Sequence, residues 1–119
     1  MSEYIIPSVA EIKSASALNK PKFEAVSLFA GGGGSSTGYR MAGGKILAIN
    51  EFIPEAINTY RANWPDTLIL PGDVRKLTPE YILAQIGKEK GELDLLDGSP
   101  PCSAFSTAGA REKGWGKTK

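Results

Sequence analysis

The chain has 119 residues with one cysteine and no histidine, and 14 basic against 13 acidic side chains leave a net charge of +1. That length holds one domain at most, with enough chain for a real core. Within this chain the missing histidines remove Cys–His and Ser–His nucleophile pairs, and the lone cysteine removes an ordinary zinc site and an internal disulfide. The zinc nucleobase deaminases are excluded with them, because Pro101-Cys102-Ser103-Ala104-Phe105 lacks their second cysteine. The balanced charge gives no strong overall field, but a local patch suffices for nucleic acid, and Arg111, Lys113, Lys117 and Lys119 face only Glu112 in a basic tail. No secretory or spanning run is visible. The expected setting is therefore an intracellular, reducing compartment, the cytoplasm by default.

Residues 1–22 read as an N-terminal extension or linker. Ile5, Val9 and Ile12 recur at helical spacing and fit a short amphipathic helix. A frayed terminus running into the small, polar stretch 14–22 is the preferred reading.

Residues 25–29 form a good buried strand that runs into Ala30-Gly31-Gly32-Gly33-Gly34. Consecutive glycines permit positive φ and close backbone approach to a ligand. A helix follows over 35–42, with Ser35 or Ser36 as its cap and Gly43-Gly44 as its stop. Strand, glycine turn and helix make the first half of a nucleotide-binding unit. The dinucleotide fingerprint fails, since Thr37 or Ser36 occupies the third glycine place in either frame, and no lysine precedes Ser35 or Thr37 to make a Walker loop.

Residues 45–50 are the second strand, with Glu51 at its tip. Glu51 stands 17–20 residues beyond the glycines, a spacing that suits a carboxylate accepting from both hydroxyls of a ribose. A helix over 54–64 starts on Pro54 and carries Ala56, Ile57, Tyr60 and Trp64 as its core stripe. Residues 67–70 are the third strand, and Gly72-Asp73-Val74 again puts a carboxylate after a strand end. Thr78 caps a helix over 79–87, with Ile82, Leu83 and Ile86 turned inward. Residues 93–97 read as a short buried fourth strand. Four strands alternating with three helices predict a parallel α/β sheet with right-handed crossovers. The glycine turn, Glu51, Asp73 and Cys102 then gather along one sheet edge.

The stretch Gly98-Ser99-Pro100-Pro101-Cys102-Ser103 puts the thiol on a rigid corner, because each proline fixes its own φ and extends the residue before it. A lone cysteine is usually a small core hydrophobe. Here the strand end, the prolines and the polar run 103–107 argue for a surface loop, and the two readings stay balanced on this stretch alone.

Taken together, four blocks resemble the DNA (cytosine-5) methyltransferases over residues 23–110. Phe29-Ala30-Gly31-Gly32-Gly33-Gly34 is similar to that family's cofactor loop. Asn50-Glu51 with Thr59-Tyr60-Arg61-Ala62-Asn63-Trp64-Pro65 resembles the acidic strand tip and the stretch after it, and Gly72-Asp73-Val74 the next block. Gly98-Ser99-Pro100-Pro101-Cys102-Ser103-Ala104-Phe105-Ser106 resembles the nucleophile block. The resemblance implies an incomplete Rossmann-like methyltransferase fold and S-adenosylmethionine as cofactor. By position, Phe29, Gly31, Gly33, Gly34, Glu51, Phe52, Asp73, Val74 and Pro101 are its cofactor residues and Cys102 the nucleophile. Pro100, Ser103 and Ser106 face DNA, with residues 111–119 opening a mobile DNA-facing loop.

Two residues depart from the family pattern: Ser27 stands where aspartate is frequent, and Ser103 where glutamine is usual. The family also continues into further strands, an arginine block and a target-recognition domain. The chain therefore reads as the N-terminal portion of a larger or split enzyme, with a second chain as a partner that supplies the rest. A non-catalytic, cofactor-binding module that docks onto a partner is the alternative. A nucleotide-dependent oxidoreductase is disfavoured by the failed glycine fingerprint.

Overall fold

The computed structural model describes residues 5–16 and 20–100. In chain order the elements are α1 (Val9–Ser16), β1 (Phe23–Leu28), α2 (Gly34–Met41), β2 (Gly44–Glu51), α3 (Pro54–Asn63), β3 (Leu68–Pro71), a 3₁₀ turn (Val74–Lys76), α4 (Pro79–Ile86) and β4 (Leu95–Gly98). The strands make one sheet in the order β3-β2-β1-β4, every described pairing being parallel. This is the predicted α/β class.

Parallel neighbours need crossovers, and their placement follows from the sheet order. The chain steps outward from β1 through β2 to β3, then returns to the far side of β1 to lay down β4. Helices α2 and α3 therefore cover one face and α4 the other. Two apolar layers result. One joins Ile12, Ala25, Ile46, Ile49, Tyr60 and Trp64, and the other joins Val26, Ala48 and Leu70 with Leu47, Ile82 and Ile86 packed on them. The successive residues Ala25 and Val26 fall in opposite layers, as a strand's period of two demands. Strand β2 breaks that period once. Ala25 pairs with Ile46 but Val26 with Ala48, so Leu47 is an extra residue, a bulge.

Several local expectations hold. Pro54 opens α3, and Ile57, Tyr60 and Trp64 are buried with Ala56 half-buried. Thr78 Oγ1 accepts from the Tyr81 N–H, and Gly87 ends α4 with a φ of 68°.

Three expectations change. Neither Ser35 nor Ser36 caps α2: the helix starts at Gly34, and Gly33 is its N-cap with φ 101° and no side-chain cap bond. The chain must curl left-handed to bring α2 back onto the sheet, and that curl falls within the glycines, so Ser36 lands buried in the first turn. The N-terminal segment forms α1, which packs through Ile12 against the layer holding Trp64. Strand β4 is half-exposed rather than buried. It pairs only with β1 among the described strands, and Leu96 is 61% exposed because no described helix lies over it.

Candidate functional site

The order β3-β2-β1-β4 makes β1 the point from which the chain departs in both directions. In open parallel sheets a crevice forms there, beyond the carboxyl ends of the strands. A cleft of about 540 Å³ occupies that end, lined by Phe29, Asn50, Glu51, Phe52, Ile53, Gly72, Asp73, Val74, Arg75 and Ser99. Its size suits a nucleoside-sized ligand.

Each lining group is held by the strand that precedes it. Leaving β1, Phe29 adopts φ 54°, the sole positive φ among the described non-glycine residues. That conformation costs a bulky residue about 1–3 kcal/mol and recurs where a loop must meet a ligand. Gly31 follows at φ 60° and Gly33 at φ 101°. Close packing adds a second reason for glycine at 33, since a Cβ there would lie 3.0 Å from two carbons of the Tyr60 ring. Gly34 has no such neighbour and serves as the first residue of α2.

Glu51, at the end of β2, is 8% exposed and ties this loop down. Its Oε1 accepts from the Gly31 N–H at 2.8 Å, and its Oε2 accepts from the Phe52 and Ile53 N–H groups at 2.6 and 2.9 Å. Burial pushes the carboxyl up, but the Ile53, Gly31 and Phe52 amides outweigh it and hold the group below its ordinary value. A carboxylate has about four acceptor positions. Three are spent on the backbone, which leaves one on Oε1 for a ligand hydroxyl. Phe52, next in sequence, is 66% exposed and presents its ring to the cleft.

Asn50 is a site residue that sequence reasoning passed over. Its buried amide donates to the carbonyls of Leu70 and Gly72, both at 2.9 Å, while the Gly72 N–H donates to the Glu51 carbonyl. The turn carrying Asp73 is thereby pinned to the tip of β2. Asp73 itself is engaged within its own turn: it accepts from the Arg75 N–H at 2.9 Å and from Arg75 Nη2 at 2.6 Å, with Nε bridging both oxygens. Arg75 holds the carboxyl down to about 2. A ligand amino group reaching Asp73 has to displace one of these donors.

On the β4 side, Ser99 closes the cleft and Pro100 is exposed beyond it. Just behind, the buried Ser27 hydroxyl donates to Asp97 Oδ2 at 3.0 Å, tying β1 to β4. Partial burial and the same Asp97 carboxylate push the Tyr39 hydroxyl up. The structure thus brings Phe29, the glycine loop, Glu51, Phe52, Asp73 and Val74 to one sheet edge. Pro101, Cys102, Ser103 and Ser106 lie outside the described residues.

Comparison with known proteins agrees with this geometry. The family model for C-5 cytosine-specific DNA methylases matches residues 23–118. The chain is 41% identical over 86 residues to the type II methyltransferase M.AquIA of Picosynechococcus, covering 72% of this chain and 35% of that protein. It is 40% identical over 84 residues to M1.HphI of Haemophilus parahaemolyticus, covering 71% and 22%. Among solved structures, a prophage-encoded DNA modification methyltransferase of E. coli superposes with a TM-score of 0.63 at 34% identity, over 71% of this chain and 24% of that one. A Spodoptera frugiperda DNMT2 variant superposes with a TM-score of 0.60 at 26% identity, over 77% and 27%. The chain spans about a fifth to a third of the length of these curated relatives.

Proposed function

Since this chain belongs to the C-5 cytosine-specific DNA methylase family, we propose that it furnishes the cofactor-binding half, and the nucleophile, of a DNA (cytosine-5) methyltransferase. The cofactor is S-adenosylmethionine, and the unit that holds it runs over residues 23–110. The observation that carries this reading is the meeting of a left-handed glycine loop, the Glu51 carboxylate and the Asp73 turn in one cleft at the strand ends.

The residues present fit that group. Glu51 keeps one acceptor position for a ribose hydroxyl, and taking both hydroxyls requires one backbone N–H to yield. The Phe29 and Phe52 rings offer flat apolar surface for the adenine, and Asp73 accepts its amino group once Arg75 gives way. Val74 and Pro101 complete the set of cofactor residues. The Gly31 to Gly34 backbone leaves room for the methionine part, since the space beside Gly31 and Gly34 is open. Bound there, the cofactor supplies a methyl group activated by its sulfonium.

The rest of the chemistry falls to Cys102, three residues beyond Ser99. Carbon 5 of cytosine is a poor nucleophile. Addition of the Cys102 thiolate to carbon 6 would push electron density onto carbon 5, which would then bond to the methyl carbon as the methyl–sulfur bond breaks and its electron pair stays on the sulfur. Loss of the carbon 5 proton restores the double bond and expels the thiolate. A paired base is inaccessible to this attack, so the cytosine must leave the duplex. Pro100 accepts from the cytosine amino group through its carbonyl, and Ser103, Ser106 and the basic residues 111–119 contact DNA. The segments that choose the target sequence come from the remainder of the enzyme, on the same or a second chain.

Two measurements test this. S-adenosylmethionine should raise the melting temperature of the chain, and no shift at saturating ligand removes the cofactor site. With the C-terminal portion supplied, a duplex carrying 5-fluorocytosine should be trapped covalently, and Cys102→Ser should abolish both adduct and methyl transfer. Methylation that survives this substitution removes Cys102 as nucleophile.

A further inference from the structure

Residues 31–34 are four consecutive glycines, the least restrained backbone in the chain. A loop that has to meet a ligand binds it more tightly when that freedom is removed beforehand. On the sheet side hydrogen bonds remove part of it. The Ala30 N–H donates to the Asn50 carbonyl, the Gly31 N–H to Glu51 Oε1, and the Gly33 N–H to the Ala30 carbonyl.

From its other side the loop rests on α3. A Cβ at Gly32 would lie 3.3 Å from Thr59 Cγ2, and a Cβ at Gly33 would lie 3.0 Å from both Cδ2 and Cε2 of Tyr60. These adjacent residues of α3 thus form a floor under the middle of the loop. Neither belongs to the described lining of the cleft, so neither meets the ligand itself.

The floor is stiff for two separate reasons. Tyr60 is the largest of the fully buried side chains among the described residues and packs in the layer of Ala25, Ile46, Ile49 and Trp64. Beside its ring, 5.5 Å from the centre, lies the guanidinium of Arg40, a residue only 4% exposed. That guanidinium stacks on Trp64 with Cζ 4.0 Å from the ring centre and donates from Nη2 to Thr67 Oγ1 at 2.7 Å. The Tyr60 ring therefore has the loop along one edge and a close-packed stack beside it, with little room to retreat. Thr59 is exposed, but its Oγ1 donates to the Glu55 carbonyl at 3.1 Å. That bond fixes the rotamer, and so fixes where Cγ2 points.

Resting on the reading of the cleft as a site for S-adenosylmethionine, we propose that Tyr60 and Thr59 are positioning residues for that cofactor. They hold the glycine loop in shape before the ligand arrives, acting through Gly33 and Gly32.

Two measurements on the whole chain test this: amide exchange at Gly31 and Gly33 without ligand, and S-adenosylmethionine affinity by calorimetry. Tyr60→Leu stays apolar but removes the ring edge. It should speed exchange and weaken affinity, each by about tenfold, the effect of ordering one loop segment during binding. Tyr60→Phe keeps the ring and should restore both. Ile82→Ala loosens the layer on the opposite face; it should lower the melting temperature and leave both readouts alone, which separates positioning from mere stability. Should Tyr60→Leu fail to fold, Thr59→Ser decides, since it keeps the hydroxyl of an exposed residue and removes only Cγ2. Both readouts should then move about threefold, in line with one methyl contact. Exchange that stays at the wild-type rate, exchange that rises equally in Ile82→Ala, or faster exchange with unchanged affinity overturns the proposal. A wild type that binds no S-adenosylmethionine refutes the cofactor reading and this role with it, and the exchange rates still decide whether the ring holds the loop.

Discussion

Replacing Glu51 by glutamine keeps the shape of the side chain and removes its charge, which makes it the sharpest probe of the cleft. The carboxylate accepts three backbone N–H groups, from Gly31 on one oxygen and from Phe52 and Ile53 on the other. An amide has one oxygen. Turned towards Phe52 and Ile53, it keeps two bonds but weakens both from charge-assisted to neutral, and its NH₂ then faces the Gly31 N–H. Losing one charged bond outright and about 1 kcal/mol from each of the others gives a cost of about 3–5 kcal/mol. On a domain of this size that lowers the melting temperature by more than about 10 °C. The pH dependence supplies a second reading. The folded carboxyl titrates below its ordinary value, so its stabilisation is present above the unfolded pKa and disappears as the pH falls through the folded one. Thermal unfolding of both proteins from neutral to acid pH should show a gap that narrows in acid. A Glu51→Gln protein within about 1 kcal/mol of wild type at neutral pH, or a gap that widens in acid, would refute the claim that this carboxylate fastens the glycine loop.

Other perturbations have equally definite outcomes. Gly33→Ala must hold a Cβ at φ 101° and 3.0 Å from the Tyr60 ring, and denaturant unfolding should show a loss of about 2–4 kcal/mol. Asn50→Ala strands the buried Leu70 carbonyl and frees the Gly72 carbonyl, so it should cost about 2–3 kcal/mol and lower cofactor affinity by loosening the Asp73 turn. Arg75→Gln should let the Asp73 carboxyl climb from about 2 towards the usual carboxylate range, as read by NMR titration. In the wild type the charge of Asp73 is favoured above its unfolded pKa and lost only as the pH falls towards 2. The same variant should tighten cofactor binding, because the displaced guanidinium no longer competes.

What the sequence makes legible here is what short-range chemistry encodes. Apolar runs bounded by glycine and proline mark β1, β2 and β3, and the strand–glycine–helix order marks the cofactor loop. Carboxylates following strands pick out Glu51 and Asp73 because strand ends in a parallel sheet share an edge. The misses come from partners far away along the chain. Asn50 reads as an ordinary polar residue, since its acceptors lie 20 and 22 residues on. Arg40 falls in the last turn of a short helix where basic residues are usually solvated, and only the fold of α3 over it reveals its burial. The left-handed Phe29 has no local signature, as its neighbours alone permit an extended conformation. The exposure of β4 escapes pattern reading because Leu93, Leu95 and Leu96 look the same whether or not anything lies over them.

One extra leucine in β2 is absorbed without cost to the cleft. Ile46 lies beside Ala25 in one apolar layer and Ala48 beside Val26 in the other, so the strand keeps step with its neighbour on both sides of the bulge. Leu47 and Ala48 share the layer that α4 covers, which gives that layer two consecutive apolar side chains from one strand. Beyond them the alternation resumes, and Asn50 reaches across to the β3 exit while Glu51 reaches back to the glycines. The hiccup in the ladder thus thickens the core at a single rung and leaves the two errands at the strand tip undisturbed.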